Sequence, residues 1–132
     1  MNMKECRQQK IKFTQKIELY KLPVKGEDMM IIMGNLLENA IEASMKCQIE
    51  ERRIELTIQQ INEIVFLDVK NSISDTVNLN GFQSQKADKI MHGWGMKNIK
   101  QIVDENHGEM QCACKEGMFD VNIIFMEDKE YE

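Results

Sequence analysis

Asn35-Leu36-Leu37-Glu38-Asn39-Ala40-Ile41-Glu42-Ala43 sets two asparagines one helical turn apart inside an otherwise apolar stretch. Residues at i and i+4 share a helix face, so Asn35 and Asn39 form a polar strip where the surrounding pattern calls for packing. A buried amide without a partner costs about 1–3 kcal/mol. Two stacked amides therefore point to a ligand or ion that satisfies them. Downstream, Gly93-Trp94-Gly95-Met96-Lys97-Asn98-Ile99 runs a flexible glycine pair into a second helix. The free N–H groups and positive dipole end of a helix start attract phosphate. Amides on one helix and a glycine loop at the start of another suggest a nucleotide pocket.

Apolar residues carry the first helix through residues 29–45, with Gly26-Glu27-Asp28 supplying an N-cap and first-turn acids. The helix is apolar over most of its girth and is expected to be buried on a sheet. Before it, residues 11–22 alternate (Ile11, Phe13, then Ile17, Leu19) as one strand or two short ones, ended by Pro23. After it, Ile54, Leu56 and Ile58 alternate along residues 53–60, Asn62-Glu63 turns the chain, and residues 64–69 return as the second arm of a hairpin. Residues 73–91 are polar and aperiodic, a length of loop that in a small domain is functional or mobile; a lid is expected there. Residues 96–105 place Met96, Ile99, Ile102 and Val103 on one helical stripe, and Gly108 stands where a left-handed cap would end it. Residues 110–115 and 119–126 form a closing hairpin around Glu116-Gly117, and the acidic tail 127–132 is expected to fray.

This order predicts an α+β fold. It is a two-layer α/β sandwich, with a mixed, mostly antiparallel sheet and the helices on one face. Residues 1–10 read as a residual linker from an upstream helix, 11–126 as the folded domain and 127–132 as the tail.

A chain of 132 residues with net charge −5 and 30% charged side chains suits one domain and argues against a nucleic-acid surface. No apolar run approaches the roughly 20 residues that span a bilayer, and the polar start offers no signal peptide, so a cytoplasmic location without membrane contact is expected. Cys6, Cys47, Cys112 and Cys114 lack metal-site spacing and read as reduced, small hydrophobes. Eleven methionines fall mostly at positions patterned for the core.

Taken together, these motifs resemble the GHKL (Bergerat-fold) ATP-binding domains, and within them the catalytic domain of sensor histidine kinases. The likeness covers nearly everything from Lys21 to Phe125. Residues 35–43 look like the family's N box and residues 93–99 like its second glycine box. The string Asn-Leu-Leu-Glu-Asn-Ala-Ile-Glu-Ala and the ending His92-Gly93-Trp94-Gly95-Met96-Lys97-Asn98-Ile99 look most like the quorum-sensing peptide-receptor branch. The resemblance implies ATP and Mg²⁺ as ligands. Asn39 would hold the metal, a role suited to its hard, neutral carbonyl oxygen. Asn35 would be catalytic and ATP-binding, at the place where hydrolysing relatives carry a glutamate base. A neutral amide takes up no proton, which favours phosphoryl transfer over free hydrolysis. Gly93, Gly95 and Met96 would approach the phosphates, and Lys86 could contact the terminal one as a point charge.

The sequence departs from the family pattern in two places. Val69-Lys70-Asn71-Ser72 falls where the family's first glycine box usually carries Asp-x-Gly-x-Gly, so Asn71 would stand for the adenine-reading carboxylate and the box glycines are missing. Without that role, Asn71 would make an Asx turn at a strand end. Glu42 replaces a basic phosphate-holding residue; either Lys46 substitutes for it, or Glu42 turns outward toward Arg52 or Arg53. His92 and His107 lie outside any phosphoacceptor helix. The implied protein is thus a histidine kinase's ATP-binding catalytic domain, with the parent's dimerisation and phosphoacceptor domain and a downstream response regulator as partners. An anti-sigma-factor-type serine kinase and a non-catalytic nucleotide-binding module are the alternatives.

Overall fold

A computed structural model describes residues 3–74 and 94–126. Its elements are α1 (Met3–Gln8), β1 (Lys12–Glu18), α2 (Gly26–Met45), a single 3-10 turn (Ile49–Glu51), β2 (Arg53–Ile61), β3 (Ile64–Ser72), α3 (Trp94–Glu105), β4 (Glu109–Lys115) and β5 (Met118–Met126). Five strands make one sheet in the order β1-β2-β3-β5-β4. β1 runs parallel to β2, from Lys12 opposite Arg53 to Glu18 opposite Gln59. Every other pair is antiparallel. The sheet is mixed and mostly antiparallel, as its hairpins led one to expect. A parallel neighbour needs a crossover that packs back on the sheet. α2 is that crossover, and the topology itself lays the asparagine helix across one face.

Both hairpins turn through left-handed residues, Asn62 (φ 56) in one and Glu116 (φ 54) with Gly117 (φ 78) in the other. In the second turn the paired positive φ values match the right-handed twist of the strands it joins. On the helix side, Ile54, Leu56 and Ile58 of β2, Val65, Leu67 and Val69 of β3, and Phe119, Val121, Ile123 and Phe125 of β5 are buried. They form one core with Ile32, Leu36, Leu37, Ala40 and Ile41 of α2 and Met96, Ile99 and Val103 of α3. The opposite face is half-buried and polar around Asp68, Lys70, Asp120 and Asn122.

Several sequence expectations need correction. α2 begins at Gly26, with Lys25 as a cap that makes no side-chain hydrogen bond, so Glu27 and Asp28 act only as first-turn acids. α2 is not buried all round: Met30 is 77% exposed and Ile31 is also exposed. Not all the methionines are core either, since Met45 and Met126 are exposed too. β1 is one strand, and it lies at the sheet edge with only Phe13 half-buried. The left-handed end of α3 falls on His107 (φ 59), not on Gly108. The His107 N–H bonds the Asp104 carbonyl at 3.2 Å and the Gly108 N–H reaches back to Val103 at 2.8 Å, the paired bonds of a Schellman end. Gly108 is needed for a different reason: a Cβ there would lie 2.8 Å from the Phe125 ring and 2.9 Å from the Ile124 carbonyl oxygen.

Residues 3–8 are helical and Cys6 is buried in the core, so this stretch packs on the domain. None of the four cysteines forms a disulfide. Burial, with help from Cys114 and Asp120, pushes the Cys112 thiol up to about 11, which leaves it an unreactive hydrophobe. No helix among the described residues is long and apolar enough to cross a membrane. Nearly all of the expected lid, with Lys86, His92 and Gly93, and the tail 127–132 lie outside the described residues.

Candidate functional site

The site is assembled where α2 meets the start of α3 and the end of β3. Asn35 is half-buried, and its Nδ2 donates to the Ile31 carbonyl one turn earlier at 2.9 Å. Its own helix thus engages one of the two amide hydrogens, and no described residue donates to Oδ1. That oxygen faces Gly95, where a Cβ would stand 3.0 Å away. Glycine is what lets the two helices approach this closely. Gly95 sits in the first turn of α3, not in the loop before it, because the helix begins at Trp94.

Asn39, one turn after Asn35, is half-buried, and no described residue hydrogen-bonds its amide. Met96 is 1% exposed, so its side chain belongs to the core. What it offers a ligand is its N–H, one of the first-turn donors without an intrahelical acceptor.

Asn71 is the sharpest feature of the site. β3 continues to Ser72, so Asn71 lies within the ladder, opposite Ile54 on one side and Phe119 on the other. It is 3% exposed. Its Nδ2 donates to the Ser72 carbonyl at 3.0 Å. A carbonyl can only accept, so the amide orientation is fixed: the NH₂ faces the backbone and Oδ1 is directed away as an acceptor. That is the polarity needed to meet an exocyclic amine. A turn at a strand end is not what Asn71 makes.

Glu42 and Lys46 are both exposed. Neither arginine reaches Glu42. Arg53 pairs with Glu55 at 3.2 Å. Arg52 directs its guanidinium at three carbonyls, Gln9 at 2.7 Å, Met45 at 3.0 Å and Cys47 at 3.2 Å.

The cavities on the described surface include two of similar size. One, about 590 Å³, lies between α2 and α3 and is lined by Gly34, Asn35, Glu38 and Asn98 among others. The other, about 580 Å³, lies at the far end of β3 from Asn71, by Tyr20, Gln60, Asn62, His107 and Phe125. The first adjoins the asparagine strip and the second does not.

Sequence reading missed two residues. Ser44 on α2 and Ser72 on β3 are buried, and they lie next to Asn71. The only signal was positional, since Ser44 falls one turn beyond Ala40 on the buried stripe.

The motif order and this geometry agree with a match over residues 24–126 to a family model described as GHKL domain. The chain belongs to the GHKL domain family. A curated relative, a probable C4-dicarboxylate sensor kinase of Bacillus subtilis (strain 168), is 28% identical over 95 residues. The match covers 67% of this chain and 17% of the relative, so the chain spans about a sixth of that protein's length. Among solved structures, the catalytic domain of histidine kinase ThkA superposes with a TM-score of 0.74 at 19% identity, over 95% of this chain and 85% of that one. The Acinetobacter baumannii histidine kinase AdeS gives 0.66 at 13% identity, over 96% of this chain and 61% of that one. At those identities the superpositions establish the GHKL fold, helices on one face of a mixed five-stranded sheet.

Proposed function

We propose that this GHKL domain binds ATP with Mg²⁺ and donates the terminal phosphate to a histidine on a separate dimerisation domain, as the catalytic part of a two-component sensor kinase. The observation that carries the reading is the packing of Asn35 against Gly95, which joins the N-box helix to a helix start rich in free N–H groups. Asn71 supplies the acceptor for the adenine amino group. Asn39 fits Mg²⁺ because no described residue hydrogen-bonds its amide, which offers a hard oxygen. Among the described residues no cluster of three or more His, Cys, Asp or Glu side chains forms a metal site. Asn39 would hold the metal alongside phosphate and water oxygens. When bound, Mg²⁺ neutralises charge on the phosphates. Lys86 and Gly93 would complete the phosphate contacts.

Asn35 takes no proton, so the domain holds ATP for transfer and does not hydrolyse it quickly. A cytoplasmic setting follows from this chemistry, with the parent's phosphoacceptor domain and a response regulator as partners.

Calorimetry with ATP, with and without Mg²⁺, tests the metal assignment: Asn39→Ala should lose the Mg²⁺ dependence while remaining folded. Unchanged Mg²⁺-dependent binding in the variant would remove Asn39 from the site. For the transfer step, labelled ATP should leave no phosphohistidine on the isolated domain, and adding a dimerisation fragment should produce acid-labile, base-stable label on that fragment. Acid-stable label on a partner protein would replace this reading with a serine kinase.

A further inference from the structure

Three polar residues are buried among the described residues, Ser44, Asn71 and Ser72. They are contiguous. The Arg53 N–H donates to Ser72 Oγ at 3.0 Å. The Ser72 hydroxyl donates to Ser44 Oγ at 3.2 Å, and the Ser44 hydroxyl donates to the Arg53 carbonyl at 3.3 Å. Each hydroxyl gives one proton and accepts one, and the cycle closes on the backbone of a single residue. The closed ring leaves no donor orphaned, and each bond polarises the next. The ring locks the Ser72 backbone against β2, and the Ser72 carbonyl is the group that sets the amide of Asn71. A further bond from the Ile73 N–H to the Gly117 carbonyl, 3.0 Å, holds the far side of the same residue.

We propose that Ser72, held by Ser44 and the Arg53 backbone, is a positioning residue for base selectivity, fixing the direction in which Asn71 presents its acceptor. The proposal rests on the reading of Asn71 as the adenine contact. An apolar strand end would pack equally well; what the hydroxyl ring adds is a fixed orientation for one amide. Ser44 also ties the last turn of α2 to that amide, so the helix bearing Asn35 and Asn39 and the strand bearing Asn71 are set relative to each other by one cluster.

The test is the ratio of dissociation constants for ATP and inosine triphosphate, measured by calorimetry on the intact domain. The two ligands differ in a 6-amino against a 6-oxo group and in the proton that N1 carries beside the oxo group, and their phosphates are identical. Wild type should prefer ATP, and Asn71→Ala should bring the two toward equality. Ser72→Ala should reduce the preference about three- to tenfold, the equivalent of one hydrogen bond. Ser44→Ala should reduce it about two- to threefold, because the Ser72 hydroxyl can turn to the Arg53 carbonyl 3.4 Å away. A merely structural role would weaken both ligands alike and leave the ratio unchanged. If Asn71→Ala keeps the ratio, Asn71 is not the base contact, and the functional reading fails at that point together with this proposal. If Asn71→Ala collapses the ratio but both serine variants keep it, the positioning role alone is overturned. Should Ser72→Ala fail to fold by circular dichroism, an unchanged ratio in Ser44→Ala overturns the proposal by itself.

Discussion

The two sides of β3 solve opposite problems within nine residues of chain. Toward the helices, Val65, Leu67 and Val69 are sealed in the core, and the one amide admitted, Asn71, is satisfied by a fixed neutral partner. Toward the open face, Asp68 and Lys70 sit beside Asp120 and Asn122 on β5, and charge is handled by sharing protons. Lys70 Nζ lies 2.7 Å from Asp68. Burial alone would raise Asp68, but hydrogen bonds from Asp120, Lys70 and Asn122 outweigh it and hold its carboxyl below the usual range. Asp120 goes the other way: burial, then its hydrogen bond to Asp68 and that residue's charge, push it up to about 7. The inner face gives orientation that does not vary with conditions. The outer face gives a sheet whose stability depends on pH.

The largest effect should come from the inner face. Leu67 is fully buried, and Leu67→Ala should cost about 2–5 kcal/mol in urea unfolding. Its outward neighbour Phe66 is half-buried, and Phe66→Ala should cost clearly less. Equal losses would erase the distinction between the faces.

Gly108→Ala tests how tightly the inner side is filled. The added methyl meets a ring and a backbone oxygen inside 3 Å, and overpacking of this kind costs about 1–3 kcal/mol. A melting temperature equal to wild type would show that Phe125 moves aside freely.

On the outer face, the folded state holds the Asp120 proton more tightly than the unfolded chain does. Its contribution is therefore fully present below the ordinary aspartate value of 3.8 and is lost as pH rises through about 7. Asp120→Asn keeps a donor for Asp68 but cannot titrate. Relative to wild type it should gain on the order of 1 kcal/mol at pH 8, discounted for partial exposure, and little at pH 5. Urea midpoints at the two pH values decide the matter; parallel curves for the two proteins would sink the proton-sharing account.

The smallest effect belongs to the exposed pair Lys16 and Glu18, 3.9 Å apart on β1. Lys16→Ala should change stability by less than about 0.5 kcal/mol, and a larger loss would mean that this edge contributes more than its exposure implies.

Much of this was legible in the chain. The alternation of Ile54, Leu56 and Ile58, the hairpin turns and the stripe of Met96, Ile99, Ile102 and Val103 are local patterns, and the structure repeats them. Asn35 and Asn39 were visible as polar intrusions in an apolar run and Asn71 through the likeness to the family's first glycine box, and the structure puts Asn35 against Gly95 and Asn71 at the buried end of β3. The parallel partner of β1 was not legible, because nothing local in residues 12–18 marks a strand that pairs beyond α2. Ser44 and Ser72 escaped notice because a hydroxyl reads the same whether it faces water or closes a buried ring. His107 holds the left-handed position read for Gly108, and what that glycine answers is its close contact with Phe125.

The parallel edge strand also bears on the order of folding. The two hairpins close on adjacent turns, while Lys12 must find Arg53 across the whole of α2. Distant pairings are entropically late, since the intervening loop has to close before any contact rewards it. The two hairpins are therefore expected to form first, and the distant β1–β2 and β3–β5 pairings, such as Lys12 with Arg53 and Ser72 with Met118, to close later. Asn71 and the Ser72 carbonyl that sets its amide lie in one such hairpin, so a nascent domain has that contact before its two hairpins meet.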